Sequence, residues 1–266
     1  MRVAVAQFAS GTEAAANRSR AVDLLTSAAR DGAELVVLPE AAMYPIDRPP
    51  AELARAAEAL DGPFVTALAE AASALGVTVI AGMFEVVHGE QRVHNTVVAV
   101  GAAGLMGRYR KLHLYDALGR KESDSLVPGR IDGDELLVLS FGEIVVGVVT
   151  CYDLRFPEIF RALADRGATV FAVPAAWVAG PLKEEHWMTM CRARAIENTS
   201  YLLAAAQSPP SYCGRSVVLD PMGVLLAGLG EADGIAAADV SSERVRDVRA
   251  GLPVLAQRRY EVRPKL

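Results

Sequence analysis

The chain has 266 residues, with 27 Lys and Arg against 32 Asp and Glu for a formal net charge of −5, and 52% of its side chains are hydrophobic. That apolar share is enough for a sizeable core, which excludes disorder as a description of the whole chain, and the length fits one large domain or two small ones. The acidic balance argues against nucleic acid or an anionic membrane as the main partner, because both select clustered positive charge.

The first predicted element is a short buried strand over residues 3–8, which meets polar residues by Gln7 and Ser10. A secretory leader would instead carry an apolar stretch of about 7–15 residues and a cleavage site, so the reading is cytoplasmic. Further strand-length apolar runs fall at 35–38, 77–81, 97–100, 144–149, 169–173 and 201–205, several rich in Val or Ile. Between them lie helix patterns. Ala21, Leu24, Leu25 and Ala28 share one face and Gly32 follows as a stop; a second pattern covers 63–75, a third runs from Pro157 to Gly167, and a fourth covers 183–198. Strands follow one another directly, as hairpins, over 94–109 and 216–239. No apolar run reaches the roughly 18 residues of a membrane span.

Strands separated by helices predict an α/β layered fold. No Pro/Gly/Ser-rich linker interrupts the chain, so residues 1–266 are expected to form one domain. Chemistry in such a sheet is expected just beyond the carboxyl ends of strands, which directs attention to Leu38-Pro-Glu40, Thr150-Cys-Tyr-Asp153 and Ala175-Ala-Trp177.

Cys151 stands at one of these ends, before a turn whose Pro157 opens a helix. A nucleophile suits that place, although a free cysteine is more often a small buried hydrophobe. Cys191 and Cys213 lack its polar company and read as packing. Glu40 is either a surface or capping carboxylate or a base in a partly dry pocket. Lys111 is either part of a solvated basic patch with Arg108 and Arg110 or a compact cation placed for chemistry. Only Lys111, Lys121, Lys183 and Lys265 are lysines, against 23 arginines, which favours the second reading because an ammonium approaches a thiolate or oxyanion where a planar guanidinium does not fit. Lys183 and Lys265 are expected to be simply solvated. Nucleophile, proton carrier and cation together are the parts of acyl transfer through a thioester. Neither metal nor organic cofactor is expected: the cysteines form no Cys-x-x-Cys pair, and His88, His94, His113 and His186 show no i, i+4 pairing.

The motifs Leu38-Pro-Glu40, Tyr109-Arg-Lys-Leu-His-Leu114 and Cys151-Tyr-Asp-Leu-Arg-Phe-Pro-Glu158, in that order, resemble the three signatures of the nitrilase superfamily of carbon-nitrogen hydrolases. Asn95-Thr96, Lys121-Glu-Ser123, His186-Trp187 and Arg192-Ala-Arg-Ala-Ile-Glu-Asn198 extend the resemblance over nearly the whole chain. It implies the four-layer-forming α-β-β-α sandwich of that superfamily, commonly paired into homodimers. It also implies that Glu40 is the general base, Lys111 the catalytic lysine, Cys151 the nucleophile and Glu122 a second glutamate that orients Lys111. The backbone N–H of Tyr152 is then an oxyanion donor beside Lys111, and Lys111 is expected to favour the Cys151 thiolate.

The Cys151 motif with His186-Trp187 looks most like the omega-amidase and deaminated glutathione amidase branch, whose substrates carry a carboxylate near the amide. Arg155 is the first candidate to bind that carboxylate; the alternative is an internal salt bridge to Asp153 or Glu158. Tyr44 and Trp177 either wall the pocket or belong to the core. The segments Glu40-Ala-Ala-Met-Tyr-Pro45 and Ala175-Ala-Trp177 depart from that branch. A short aliphatic amide amidase therefore stays open, as do nitrile or N-carbamoyl amino acid hydrolysis at the same site. A non-enzymatic binding member is disfavoured because every chemical position holds a competent residue.

Overall fold

The computed structural model describes residues 1–265. Its layering is already set in β1 (Arg2–Gln7), where Val3 and Val5 enter one apolar cluster and Ala4 and Ala6 another, as the two-residue period of a strand requires. The first half of the chain continues with α1 (Ala14–Arg30), β2 (Leu35–Val37), α2 (Pro50–Ala56), α3 (Pro63–Leu75), β3 (Thr78–Glu85), β4 (His94–Gly101) and β5 (Gly104–Arg110). The second half supplies β6 (Leu137–Phe141), β7 (Ile144–Val148), α4 (Pro157–Asp165), β8 (Val170–Ala175), α5 (Lys183–Asn198), β9 (Tyr201–Ala206), β10 (Val217–Leu219), β11 (Leu225–Gly228), β12 (Gly234–Asp239) and α6 (Ser242–Gly251).

Two six-stranded mixed sheets result, in the orders β12-β1-β2-β3-β4-β5 and β11-β10-β9-β8-β7-β6. The central strands β1-β2-β3 and β7-β8-β9 are parallel, with helical crossovers, and the flanking pairs are antiparallel. Between the sheets Val3, Val5, Val37 and Ile80 meet Val146, Ala172 and Leu203. On the outer face of the first sheet Leu24, Leu25, Phe64 and Leu68 of α1 and α3 cover Ala4, Val36 and Val79. On the outer face of the second lie Phe160, Leu163, Trp187 and Cys191 of α4 and α5. Each fully buried Leu or Phe contributes about 1.5–3 kcal/mol. The layers are therefore α-β-β-α, as the resemblance implied. The expected strands and four helices are present; β6, α2 and α6 had no strong sequence signal. Among the described residues no helix is long and apolar enough to cross a membrane.

Polar ties join the sheets at the carboxyl ends of their central strands. The Gln7 amide donates to the Gly230 and Ala232 carbonyls at 3.0 and 2.8 Å and accepts from Ser216. Gln207, just past β9, donates to the carbonyls of Glu40 and Ala41 at 2.8 and 3.1 Å. These bonds fix the loop after β2 against the second sheet.

Candidate active site

Glu40 follows β2 through Pro39, and its neighbour Ala41 turns left-handed at φ 55°. One carboxylate oxygen, Oε1, accepts from Asn95 Nδ2 at 2.7 Å and from Lys111 Nζ at 3.0 Å. The other, Oε2, accepts from the Ala176 amide at 2.7 Å, beyond the end of β8. Lys111 follows β5 directly, its amide donating to the Asn95 carbonyl at 2.9 Å. Its ammonium also meets Glu122, at 3.0 Å from Oε1 and 2.9 Å from Oε2, and the Tyr115 amide pins Glu122 Oε2 at 2.7 Å.

Cys151 opens a 3-10 turn, Cys151–Arg155, just past β7. Its φ of 46° lies in the left-handed region, a strained conformation for a side chain with a β-carbon and one that the surrounding structure must hold. Asp153 does so. Fully buried, it accepts from Tyr109 Oη at 2.7 Å and from the Thr150 amide at 3.1 Å, and pairs with His113 Nδ1 at 2.6 Å. His113 stacks on Phe156 with ring centres 3.7 Å apart. Both contacts make it a structural residue.

Burial pushes the Glu40 carboxyl up, but the Lys111 charge, the Cys151 thiol and the Ala176 amide outweigh it and hold Glu40 below the usual carboxylate range. Burial also acts against the Lys111 ammonium, yet Glu122 and Glu40 raise its pKa well above that of an ordinary lysine. For Cys151, burial and then the Glu40 charge raise the thiol pKa well above its usual value, and Lys111 offsets them only in part. Lys111 does favour the thiolate, as expected, but burial first and the Glu40 charge second outweigh it and keep the resting sulfur protonated. The resting site is thiol, carboxylate and ammonium.

Cys151 and Glu122 line a cavity of about 200 Å³ whose wall also includes Tyr152, Arg155, Ala176, Trp177, Tyr115 and Lys183, while Glu40 and Lys111 are buried behind that wall. The Arg155 guanidinium lies 4.9 Å from the Trp177 ring centre and 5.9 Å from that of Tyr152. It makes no ion pair among the described residues, because Asp153 is already committed to Tyr109 and His113. The salt-bridge alternative for Arg155 is thus not realised. Trp177 does wall the cavity, whereas Tyr44 does not: its ring joins the core around α1 and α3 and its hydroxyl donates to Glu52 at 3.2 Å. Lys183 corrects a further expectation. It is only 8% exposed and lines the cavity, 5.0 Å from the ring centres of both Tyr115 and Trp177.

Sequence reasoning missed three contributors. The Asn95 and Ala176 donors to Glu40 belong to motifs that were noticed, but a backbone amide and a neutral amide carry no chemical flag of their own. Tyr212 is buried with its hydroxyl unpartnered, and it pairs as an isolated bridge with the cavity residue Val178.

A thiol held between a carboxylate and an ammonium, where two face-to-face sheets adjoin, defines a cysteine-dependent hydrolase on an α-β-β-α sandwich. A family model described as carbon-nitrogen hydrolase matches residues 2–250. The deaminated glutathione amidase of Escherichia coli O157:H7 is 40% identical over 262 residues, covering 98% of each chain. Among solved structures, Saccharomyces cerevisiae Nit3, of branch 10 of the nitrilase superfamily, matches with TM-score 0.83 at 26% identity over 98% of this chain and 97% of its own. A variant amidase from Nesterenkonia sp. AN1, which shows the Michael addition of acrylamide at its active-site cysteine, matches with TM-score 0.77 at 27% identity over 95% and 98%. The chain belongs to the carbon-nitrogen hydrolase family.

Proposed function

We propose that the protein is an amidase that hydrolyses a small linear carboxamide through a thioester on Cys151, with Glu40 as proton carrier, Lys111 as oxyanion donor and Glu122 as the residue that orients Lys111. The observation that carries this reading is Lys111 Nζ at 3.0 Å from Glu40 and 2.9 Å from Glu122, a residue that lines the same cavity as Cys151.

The steps follow from the resting ionisation. As Cys151 Sγ bonds to the amide carbon, its proton passes to Glu40, which its lowered pKa keeps free to accept. The carbonyl oxygen takes the displaced electron pair, stabilised by the Lys111 ammonium and the Tyr152 backbone N–H. Collapse breaks the carbon–nitrogen bond, and Glu40 gives its proton to the departing nitrogen. A water then adds to the thioester carbonyl and loses a proton to Glu40. The second collapse releases the acid, and the proton returns to sulfur. Glu122 bonds through both oxygens, which holds the ammonium in one direction throughout.

The substrate reading is an omega-amide or deaminated-glutathione-like compound, an amide with a carboxylate. It is supported by the unpaired Arg155 on the cavity wall and by the names of the relatives, including the human deaminated glutathione amidase at 35% identity. The reading extends to residues 1–266 acting as one catalytic domain, since both sheets contribute to the site. It further extends to a cytoplasmic homodimer with no nucleic-acid or membrane partner. An exposed apolar strip of Ile196, Met222, Val224, Leu225 and Leu226 supports the dimer, and sedimentation of the purified protein tests it.

Release of ammonia from omega-amides, short aliphatic amides, nitriles and N-carbamoyl amino acids is the direct experiment. Cys151→Ala should abolish turnover in a folded protein, and the wild type should show an acyl adduct on Cys151 by intact mass. Substantial turnover by Cys151→Ala removes the assignment.

A further inference from the structure

Lys183 is the first residue of α5, and only 8% of it is exposed. Lysines usually extend along apolar surface to keep the ammonium in water; this one turns inward and lines the cavity. The ammonium makes one hydrogen bond among the described residues, a long one of 3.4 Å to Tyr115 Oη. No carboxylate comes within the 4.0 Å of an ion pair among the described residues. Of the acidic side chains in the cavity wall, Glu122 is held by Lys111, and Asp47 pairs with neither Lys183 nor Arg155. An ammonium buried this far without a counter-charge is costly unless a ligand supplies one.

The aromatic rings explain how the cavity tolerates it. The Trp177 ring centre lies 5.0 Å from Lys183 Nζ and 4.9 Å from Arg155 Cζ, and the Tyr115 ring centre is also 5.0 Å from Lys183 Nζ. Their electron-rich faces partly compensate both cations but do not neutralise either. Two cations on one indole, both facing the same small space and both unpaired, are matched by two anionic groups. A lysine at the second position suits a carboxylate approached through a single oxygen, where Arg155 offers the forked geometry for the other.

We propose that Lys183 is a second anion anchor and a specificity determinant, so that the cavity selects an amide carrying two carboxylates, one held by Arg155 and the other by Lys183. The proposal rests on amide hydrolysis at Cys151 with Arg155 as the first anchor, and it narrows the substrate class from carboxylate-bearing to dianionic amides.

The test compares three amides with wild type, Lys183→Met and Lys183→Gln, each variant first checked by near-ultraviolet circular dichroism and thermal midpoint. N-methylglutaramate carries one carboxylate. N-glutarylglycine carries a second in its amine half, and the N-methyl monoamide of propane-1,2,3-tricarboxylic acid carries a second in its acyl half. Wild type should favour at least one dianion over N-methylglutaramate by about tenfold or more in kcat/KM, mainly through KM, the scale of one charged hydrogen bond. Both variants should erase that preference, with kcat/KM falling at least about tenfold further on the dianion than on N-methylglutaramate, which has no second anion to lose. A preference that survives both substitutions overturns the proposal. So does a wild type that prefers the monoanion, or equal loss on all three amides, which marks Lys183 as structural. If wild type releases neither amine from any of them nor ammonia from omega-amides or short aliphatic amides, the amidase reading itself fails. Binding of N-glutarylglycine and N-methylglutaramate to Cys151→Ala, with and without Lys183→Met, then decides the role of Lys183 alone: tighter dianion binding that depends on Lys183 supports it, and its absence overturns it.

Discussion

A β-carbon placed on Gly82 would lie 2.5 Å from the Cα of Glu40 and 2.6 Å from the amide nitrogen of Ala41. β3 therefore runs against the backbone that carries Glu40, an approach only a residue without a side chain permits. Gly82→Ala is expected to displace Glu40 and lower kcat by about 100-fold, the effect of a shift near 1 Å at a reacting group. The crowding should also cost about 1–3 kcal/mol of stability. Steady-state kinetics beside urea unfolding checks both; a variant with the wild-type kcat would show that the backbone yields without harm.

The protonated resting state of Cys151 sets the pH dependence of its alkylation. Burial and Glu40 raise the thiol pKa and Lys111 lowers it, so reaction with iodoacetamide should rise with pH through an inflection above the ordinary thiol range. Glu40→Gln removes one raising charge and should move the inflection down, whereas Lys111→Met should move it up. Mass spectrometry of timed samples reads the rates. Opposite shifts would mean that the charges around the sulfur act otherwise than described.

Arg155 has no internal ion partner, so Arg155→Leu should leave the fold intact and act on substrate choice. The ratio of kcat/KM for glutaramate to that for pentanamide should fall by about 10–100-fold, the value of a charged hydrogen bond. An unchanged ratio would leave the carboxylate without this anchor.

Asp153→Ala leaves Tyr109 Oη, the Thr150 amide and His113 without their acceptor in a buried place. Each unsatisfied group costs about 1–3 kcal/mol, so a loss of at least about 3 kcal/mol is expected. kcat should fall as well, because the same carboxylate holds the left-handed turn of Cys151. Denaturant melts and kinetics together test this; full activity with reduced stability would separate Asp153 from the turn.

Away from the site, Glu85 predicts behaviour in acid. Burial raises its pKa, but hydrogen bonds from Arg110 and Thr96 bring it below the usual carboxylate value. A carboxyl held low in the folded state stabilises fully above its unfolded pKa of about 4.3, and that stability is lost as pH falls through the lower folded value. Glu85→Gln should therefore be less stable near neutrality and lose less of its stability on acidification, as urea midpoints at a series of pH values will show.

The strands of both sheet centres were legible because runs such as Val3 to Ala6 and Val170 to Val173 are apolar on both faces, as burial between a helix layer and a second sheet demands. β6 was not, since at the sheet edge it stays half-buried and mixed. α6 buries only Val245 and Val248 among charged residues, too little to stand out as a pattern. Glu40 and Cys151 were legible because they follow apolar strands, where a charge or a thiol is conspicuous, whereas Lys111 follows Arg108 and Arg110 and was legible through the scarcity of lysine in the chain. Lys183 was not: whether a lysine at a helix start faces water or a cavity is decided by the path of the preceding loop. Tyr44 failed for the same reason in reverse, its ring turning into the core while its neighbour Ile46 reaches the cavity.

The bond from the Ala176 amide to Glu40 joins residues 136 positions apart and belonging to different sheets. Reactivity is therefore withheld until the polypeptide is finished. A nascent chain that has made β2, β3 and β5 displays a glutamate and a lysine with no sulfur to act on, and Cys151 arrives before the strand that completes the surroundings of Glu40. Catalytic competence is thus a late and collective property of folding, and its recovery after dilution from denaturant is a direct clock for the joining of the two sheets.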